Sequence, residues 1–313
     1  PSTAPREYGS IQMRGHYTRL LLIGLTLSLT GWASKSFADP GSGKYTQNWA
    51  NFNTQLIIKA KSFQNAPRLL DGYGDFEYIE YASAGMTLGA LINAGSTDLK
   101  SPKPGVVYLH GGFGLSTGEL AAAQMFVDAG FVVLAPTWRG ENENPGYFEC
   151  FFGEVADAKA AIRWLAGQQN VNADEIYVFG WSVGGGIALN LALHDDIPVR
   201  ISGSSAGIYD LDLITAWATE DDYIKFPYDH QNDLENYYRL PIYHLQDMIR
   251  PHYTYVGMND GYEQIQKLYS ELYPKEKTEL HLQGTEGDHV SSLPVAINEF
   301  LKVISGGENS PGH

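Results

Sequence analysis

No stretch constrains the fold of this chain more than residues 175–194, EIYVFGWSVGGGIALNLALH. Ile176, Tyr177, Val178 and Phe179 make a short apolar run of β-forming residues, too brief for a helix and closed by Gly180. Helix-forming Ala and Leu then take over, with Ile187, Leu191 and His194 at the spacing of one helix face. Between the two lies Gly180-Trp181-Ser182-Val183-Gly184, a G-x-S-x-G pattern at a strand-to-helix turn. The plain alternative is a glycine-rich turn with an ordinary serine, and the flanking strand and helix favour a nucleophile instead. A serine at such a turn is held in a strained backbone conformation, and small neighbours let strand and helix pass closely. Its Oγ then stands above the sheet at the positive end of the helix.

The same alternation runs through most of the chain. Phe76–Ala82 and Met86–Asn93 read as a hairpin joined by Ser83-Ala84-Gly85. Strands are expected at Val106–His110, Phe131–Pro136, Val199–Gly203, His252–Gly257 and Thr278–Gln283. Helices are expected at Glu119–Ala129, Glu154–Gly167, Tyr262–Tyr273 and near Val295–Ile304. Strands alternating with helices of this length build parallel βαβ units, so the fold class is α/β. Residues 39–75 read as an N-terminal arm with one helix at Trp49–Lys61, and 306–313 as a frayed tail. Residues 210–250 break the rhythm: Trp217–Tyr243 is crowded with acids and tyrosines and reads as a cap-like insertion, either a lid or a pair of helices over the sheet.

The first 38 residues read as a leader. Met13 with Arg14 and Arg19 forms a basic start, Leu20–Thr30 is an apolar run too short to span a bilayer comfortably, and Ser36-Phe37-Ala38 is a small-x-Ala cleavage site. Residues 1–12 precede the expected start. Export to a periplasm or beyond follows as an expectation, with no stable membrane anchor. A net charge of −15 argues against nucleic acid or an anionic membrane as partner. Cys150 is the one cysteine, which excludes an internal disulfide, and its neighbours Tyr147, Phe148, Phe151 and Phe152 point to a buried, inert thiol.

A nucleophilic serine needs a base, and the base needs an orienting acid. Both are expected on loops after later strands, acid before histidine. Past the strand ending at Gly257 stand Met258, Asn259 and Asp260; Asp260 is the acid, since Asn259 carries no charge. Past the next strand stand Gly284-Thr285-Glu286-Gly287-Asp288-His289, with His289 as the base and Asp288 and Glu286 as alternative acids. His194, His230, His244, His252 and His281 are placed worse. Acyl transfer also needs N–H donors for a developing oxyanion. Val183 N–H is one, and the glycine-rich loop His110-Gly111-Gly112-Phe113-Gly114 supplies another at Gly112 or Phe113. Trp181, Tyr209 and Trp217 are candidates for an acyl pocket.

These segments together resemble the α/β-hydrolase fold, and in detail the catalytic domain of the prolyl-oligopeptidase family with its stand-alone esterase-like relatives. The resemblance rests on His110-Gly111-Gly112, Thr137-Trp138-Arg139-Gly140, Gly180-Trp181-Ser182-Val183-Gly184-Gly185, Gly257-Met258-Asn259-Asp260 and His289. It implies a mostly parallel eight-stranded sheet flanked by helices, a Ser182–His289–Asp260 triad, and neither metal nor cofactor. The few residues before Phe76 are too short for the family's β-propeller, and its oxyanion tyrosine has no match between Phe113 and Glu119. Dienelactone hydrolases are similar in size but use cysteine where Ser182 stands. The expected activity is cleavage of a small carboxylic ester. A short peptide is the second substrate class, for which Glu141, Glu143, Asp221 and Asp222 are candidate contacts to an amino terminus. A non-catalytic binding protein on the same fold is the third reading, disfavoured because no triad member is missing.

Overall fold

β3 (Lys103–Leu109) and β5 (Val171–Trp181) lie side by side at the middle of the sheet, paired in parallel from Gly105 opposite Ile176 to Leu109 opposite Gly180. The computed structural model describes residues 44–62, 66–93, 101–112, 114–211, 214–215, 225–274 and 277–306. The expected leader, Phe113, Trp217, Asp221, Asp222 and residues 307–313 of the tail lie outside these.

Around the central pair run β1 (Phe76–Ser83), β2 (Met86–Asn93), β4 (Val132–Pro136), β6 (Val199–Ser205), β7 (His252–Gly257) and β8 (Leu280–Thr285). The order across the sheet is β1-β2-β4-β3-β5-β6-β7-β8. Among the described strands, only the β1–β2 and β2–β4 pairs are antiparallel. The chain moves outward from β3 to β4, then returns to the other side of β3 as β5. That reversal makes a topological switch point beyond the carboxyl ends of β3 and β5, the place where ligands bind in open α/β sheets. The α/β-hydrolase expectation is met.

Alternating side chains fill a core on each face. Val107 and Leu109 pack with α3 (Phe152–Ala166) and α4 (Val183–Leu191). Val106 and Tyr108 pack with α2 (Thr117–Asp128) and α7 (Leu293–Ile304). Near-continuous apolar strands are what a sheet covered on both sides requires. Each fully buried Val or Leu here contributes about 1.5–3 kcal/mol.

One expectation is corrected. The first helix, α1, spans Tyr45–Asn51 rather than 49–61. Beyond it the chain is extended: Leu56 bridges to Tyr228, and the Ile57 and Ile58 N–H groups both donate to Pro227 O. The β-branched pair at 57–58 suits that edge pairing better than a helix. The arm is also part of the body of the protein, with Tyr45 and Trp49 buried in the core and Trp49 Nε1 donating to Tyr238 O. In the insertion, the described part is a packed cover. Here α5 (Asp233–Tyr237) and a 3₁₀ turn (Pro241–Asp247) bury Tyr228, Leu240 and Leu245, while Arg239 lies wholly buried against Glu235. α6 (Tyr262–Leu272) separates β7 from β8.

Candidate active site

The turn between β5 and α4 has room for glycine alone at two places. A Cβ on Gly180 would sit 2.0 Å from Gly184 O, and one on Gly184 would sit 2.1 Å from Leu109 O. This crowding holds Ser182 at φ 54°, ψ −114°, a region that L-residues avoid. Such a residue stores about 1–3 kcal/mol, which its surroundings must sustain. They do so through the backbone: Ser182 N–H donates to Ser205 O at 2.9 Å, and Ser182 O accepts from Gly185, Gly186 and Ile208. The Oγ itself is buried and makes no hydrogen bond to the described residues. Val183 N–H is at the first position of α4, where a helix has no acceptor of its own to offer.

On one side stand the candidate base and acid. His289 Nδ1 is 2.9 Å from Asp260 Oδ2, with the two side chains 12% and 13% exposed. The other candidates are engaged elsewhere. Asp288 Oδ1 accepts from Ser291 N–H, Ser291 Oγ–H and Val290 N–H, closing the turn that carries His289. Those bonds hold its carboxyl below its usual range. Asn259 N–H donates to Gly287 O, joining the two loops. Trp181 Nε1 donates to His289 O at 3.0 Å, and the two rings lie 5.5 Å apart. The base is thereby docked against the residue that precedes the nucleophile. In a resting site the final serine–histidine contact is often open and tightens only around substrate.

On the other side is the candidate oxyanion loop, braced by charges that the motif does not include. His110 Nε2 lies 2.8 Å from Glu141 Oε1 with both side chains buried, and Glu141 also accepts from Trp138 N–H at 2.7 Å. Burial alone would lower the imidazole, but the adjacent carboxylate outweighs it and raises His110 to about 9. Glu119, in the first turn of α2, accepts from Ser116 N–H. Burial raises the Glu119 carboxyl to about 7. Asn142 clips the far end of the loop, accepting from Leu115 N–H and donating to Leu115 O. Gly112, at φ 66°, follows directly.

The sequence-based candidates for substrate contact fare differently. Trp181 is a buried wedge: its ring lies where a Cβ on Gly111 would be, at 2.5 Å, and its indole holds the base loop. Tyr209 is fully buried, its hydroxyl bonded to Ser204 Oγ and Gly207 N–H, so it supports the turn rather than lining a pocket. Glu141 is not free to hold an amino terminus, because His110 occupies it. His252 is sandwiched between Ser202 and Ser204, with burial lowering it to about 3, well away from base duty. Cys150 is buried, its thiol pushed up to about 12 by desolvation, as an inert thiol would be. Among the described residues, no cluster of His, Cys, Asp and Glu is arranged to hold a metal.

A strained serine over the carboxyl edge of the sheet, a histidine–aspartate pair on the last two loops and a glycine loop after β3 sit on the α/β-hydrolase fold. The comparisons narrow the neighbourhood. Residues 99–220 match the X-Pro dipeptidyl-peptidase (S15) family. A curated uncharacterised peptidase of Bacillus subtilis is 42% identical over 84 residues, covering 26% of this chain and 32% of that protein. An uncharacterised protein of Rickettsia prowazekii is 40% identical over 72 residues, covering 23% and 30%. These matches thus span about a third of those relatives' lengths. Among solved structures, a puromycin-hydrolysing peptidase of Mycobacterium tuberculosis superposes with a TM-score of 0.63 at 17% identity, over 74% of this chain and 39% of that one. An esterase of Pyrococcus furiosus does so at 0.60 and 19%, over 80% and 97%.

Proposed function

We propose that this chain is a serine hydrolase that cleaves carboxylic esters through an acyl-enzyme on Ser182. The observation that carries the reading is the His289–Asp260 pair, docked through Trp181 onto the residue before a strained, buried serine. His289 Nε2 accepts the Ser182 proton as Oγ attacks the ester carbon, and Asp260 fixes the tautomer and stabilises the imidazolium. Val183 N–H and a donor from the loop at 112–113 meet the oxyanion. The proton returns to the departing alcohol, and water then repeats the sequence to release the acid. The likeness to the archaeal esterase supports the ester reading, since it extends over 97% of that protein against 39% of the puromycin-hydrolysing peptidase.

Peptide cleavage is the second reading, favoured by the match to the S15 peptidase family. Wild-type protein assayed on p-nitrophenyl acetate and butyrate beside aminoacyl-arylamides separates the two. Turnover of arylamides at rates matching the esters would favour the peptidase; full ester activity in Ser182→Ala would remove the mechanism. The apolar run at 20–30 followed by Ala38 supports export. Mass spectrometry of the secreted protein should find a chain beginning at Asp39, and an intact leader on the functional protein would contradict it. No helix among the described residues is long and apolar enough to cross a membrane.

A further inference from the structure

The stretch around Ser182 holds two glycines more than a G-x-S-x-G turn needs, Gly185 and Gly186. What lies against them explains both. A Cβ on Gly185 would come within 2.8 Å of Gly207 Cα, and one on Gly186 within 2.1 Å of Ile208 O. The segment 206–209, directly after β6, is thereby pressed onto the first turn of α4. It turns on Ala206 at φ 51°, a left-handed conformation that a side chain makes costly. This segment and the end of β6 grip the nucleophile by its backbone. Ser182 N–H donates to Ser205 O at 2.9 Å, and Ile208 N–H donates to Ser182 O at 3.2 Å. The serine is held at both its amide and its carbonyl, from either side of Ala206 and Gly207.

A side chain fixes the segment in turn. Gly207 N–H donates to Tyr209 Oη at 3.2 Å. The same hydroxyl bonds Ser204 Oγ at 2.8 Å, Ser204 Oγ lies 2.8 Å from His252 Nε2, and His252 Nδ1 lies 2.8 Å from Ser202 Oγ. One proton order satisfies every member: the phenol donates to Ser204, Ser204 to His252, and His252 Nδ1–H to Ser202. All four side chains are wholly buried. Burial lowers His252 to about 3, so the chain is uncharged near neutral pH. Phenylalanine would fill the same space without burying a hydroxyl. What the hydroxyl adds is a hold on Gly207 N–H, one residue before the bond to Ser182 O.

We propose that Tyr209 is a positioning residue for the nucleophile: its hydroxyl locks the turn after β6, and that turn clamps the Ser182 backbone in the conformation that presents Oγ. The proposal rests on the serine hydrolase reading. The test compares Tyr209→Phe with Tyr228→Phe, which removes an equally buried phenol hydroxyl, bonded to Asn236 in the cover. Turnover of p-nitrophenyl butyrate is divided by the Ser182 sites that a fluorophosphonate labels at completion, so unfolded protein does not count. Tyr209→Phe should lower kcat per site by about ten- to a hundredfold and change KM by less than about threefold, because a misplaced nucleophile loses reactivity rather than binding. Tyr228→Phe should leave both within about threefold of wild type. A second readout does not depend on turnover. In Ser182→Gly no strain remains for the clamp to sustain, so Tyr209→Phe should lower Tm more there than in the wild-type background, where loosening the clamp also relieves the serine. A kcat per site in Tyr209→Phe equal to that in Tyr228→Phe, or equal Tm losses in the two backgrounds, would overturn the clamp. A wild type whose Ser182 fails to label while the Tm losses stay unequal would instead strike the hydrolase reading and leave the clamp standing.

Discussion

The two shoulders of Ser182 are built in opposite ways. On the base side, His289 and Asp260 are each partly exposed, on loops tied by Asn259 N–H to Gly287 O and by the indole of Trp181. On the oxyanion side, the His110–Glu141 pair is wholly buried, and Asn142 and Glu119 pin the loop from two more directions. The proposed roles account for the contrast. A base must gain and lose a proton and exchange its product with water, which tolerates a partly open loop. Oxyanion donors work by being in place before charge develops, which rewards rigidity.

Variants can break that contrast, and the largest effect is expected at the nucleophile. Ser182→Ala should lower kcat on p-nitrophenyl butyrate by about 10⁴–10⁶ with an unchanged circular dichroism spectrum. On the base side, Asp260→Asn should cost about 10⁴ in kcat with little change in thermal stability, because it spoils the tautomer without disturbing a packed core. On the oxyanion side, the balance reverses. Glu141→Gln should lower kcat only about 10–100-fold yet destabilise the fold by about 3–5 kcal/mol in urea unfolding, since it removes the charged partner of a buried imidazole. Comparable stability losses for the Asp260 and Glu141 variants would erase the distinction.

The oxyanion side also carries a pH signature. His110 is raised in the folded protein from 6.5 to about 9, so its contribution is complete below 6.5 and drains away as pH climbs toward 9. Wild-type Tm should therefore fall over that interval more steeply than the Tm of Glu141→Gln. Parallel profiles would mean that the pair does not govern His110. The smallest effect is expected from Ser182→Gly, which relieves the strained φ and should stabilise the inactive protein by about 1 kcal/mol.

The same contrast explains what was legible in the sequence. That Ser182, Asp260 and His289 come after successive strands, with the last two paired, could be read because the strands are recognisable in chain order, and β7 falls on the expected residues His252–Gly257. The brace could not. Glu141 and Glu143 look alike as acids in a polar loop, yet one is buried against His110 and the other is exposed. Only the placement of β4 beside β3 brings residue 141 to residue 110. Tyr209 misled for the converse reason. An aromatic shortly after a strand end reads as a pocket wall, but the Ser204 hydroxyl and the Gly207 N–H hold its own hydroxyl in the core. The arm failed through length: helical signals at Tyr45–Asn51 run into Leu56, Ile57 and Ile58, whose partner Pro227–Tyr228 is 170 residues away and invisible to any local pattern.

The central claim is that Ser182 is activated by a histidine docked beside it. Stoichiometric labelling with a fluorophosphonate probe, mapped by peptide mass spectrometry, tests this most directly. One adduct on Ser182, formed at least about a hundredfold more slowly in His289→Ala, is the predicted result. No adduct, an adduct on another side chain, or equal labelling rates with and without His289 would contradict it.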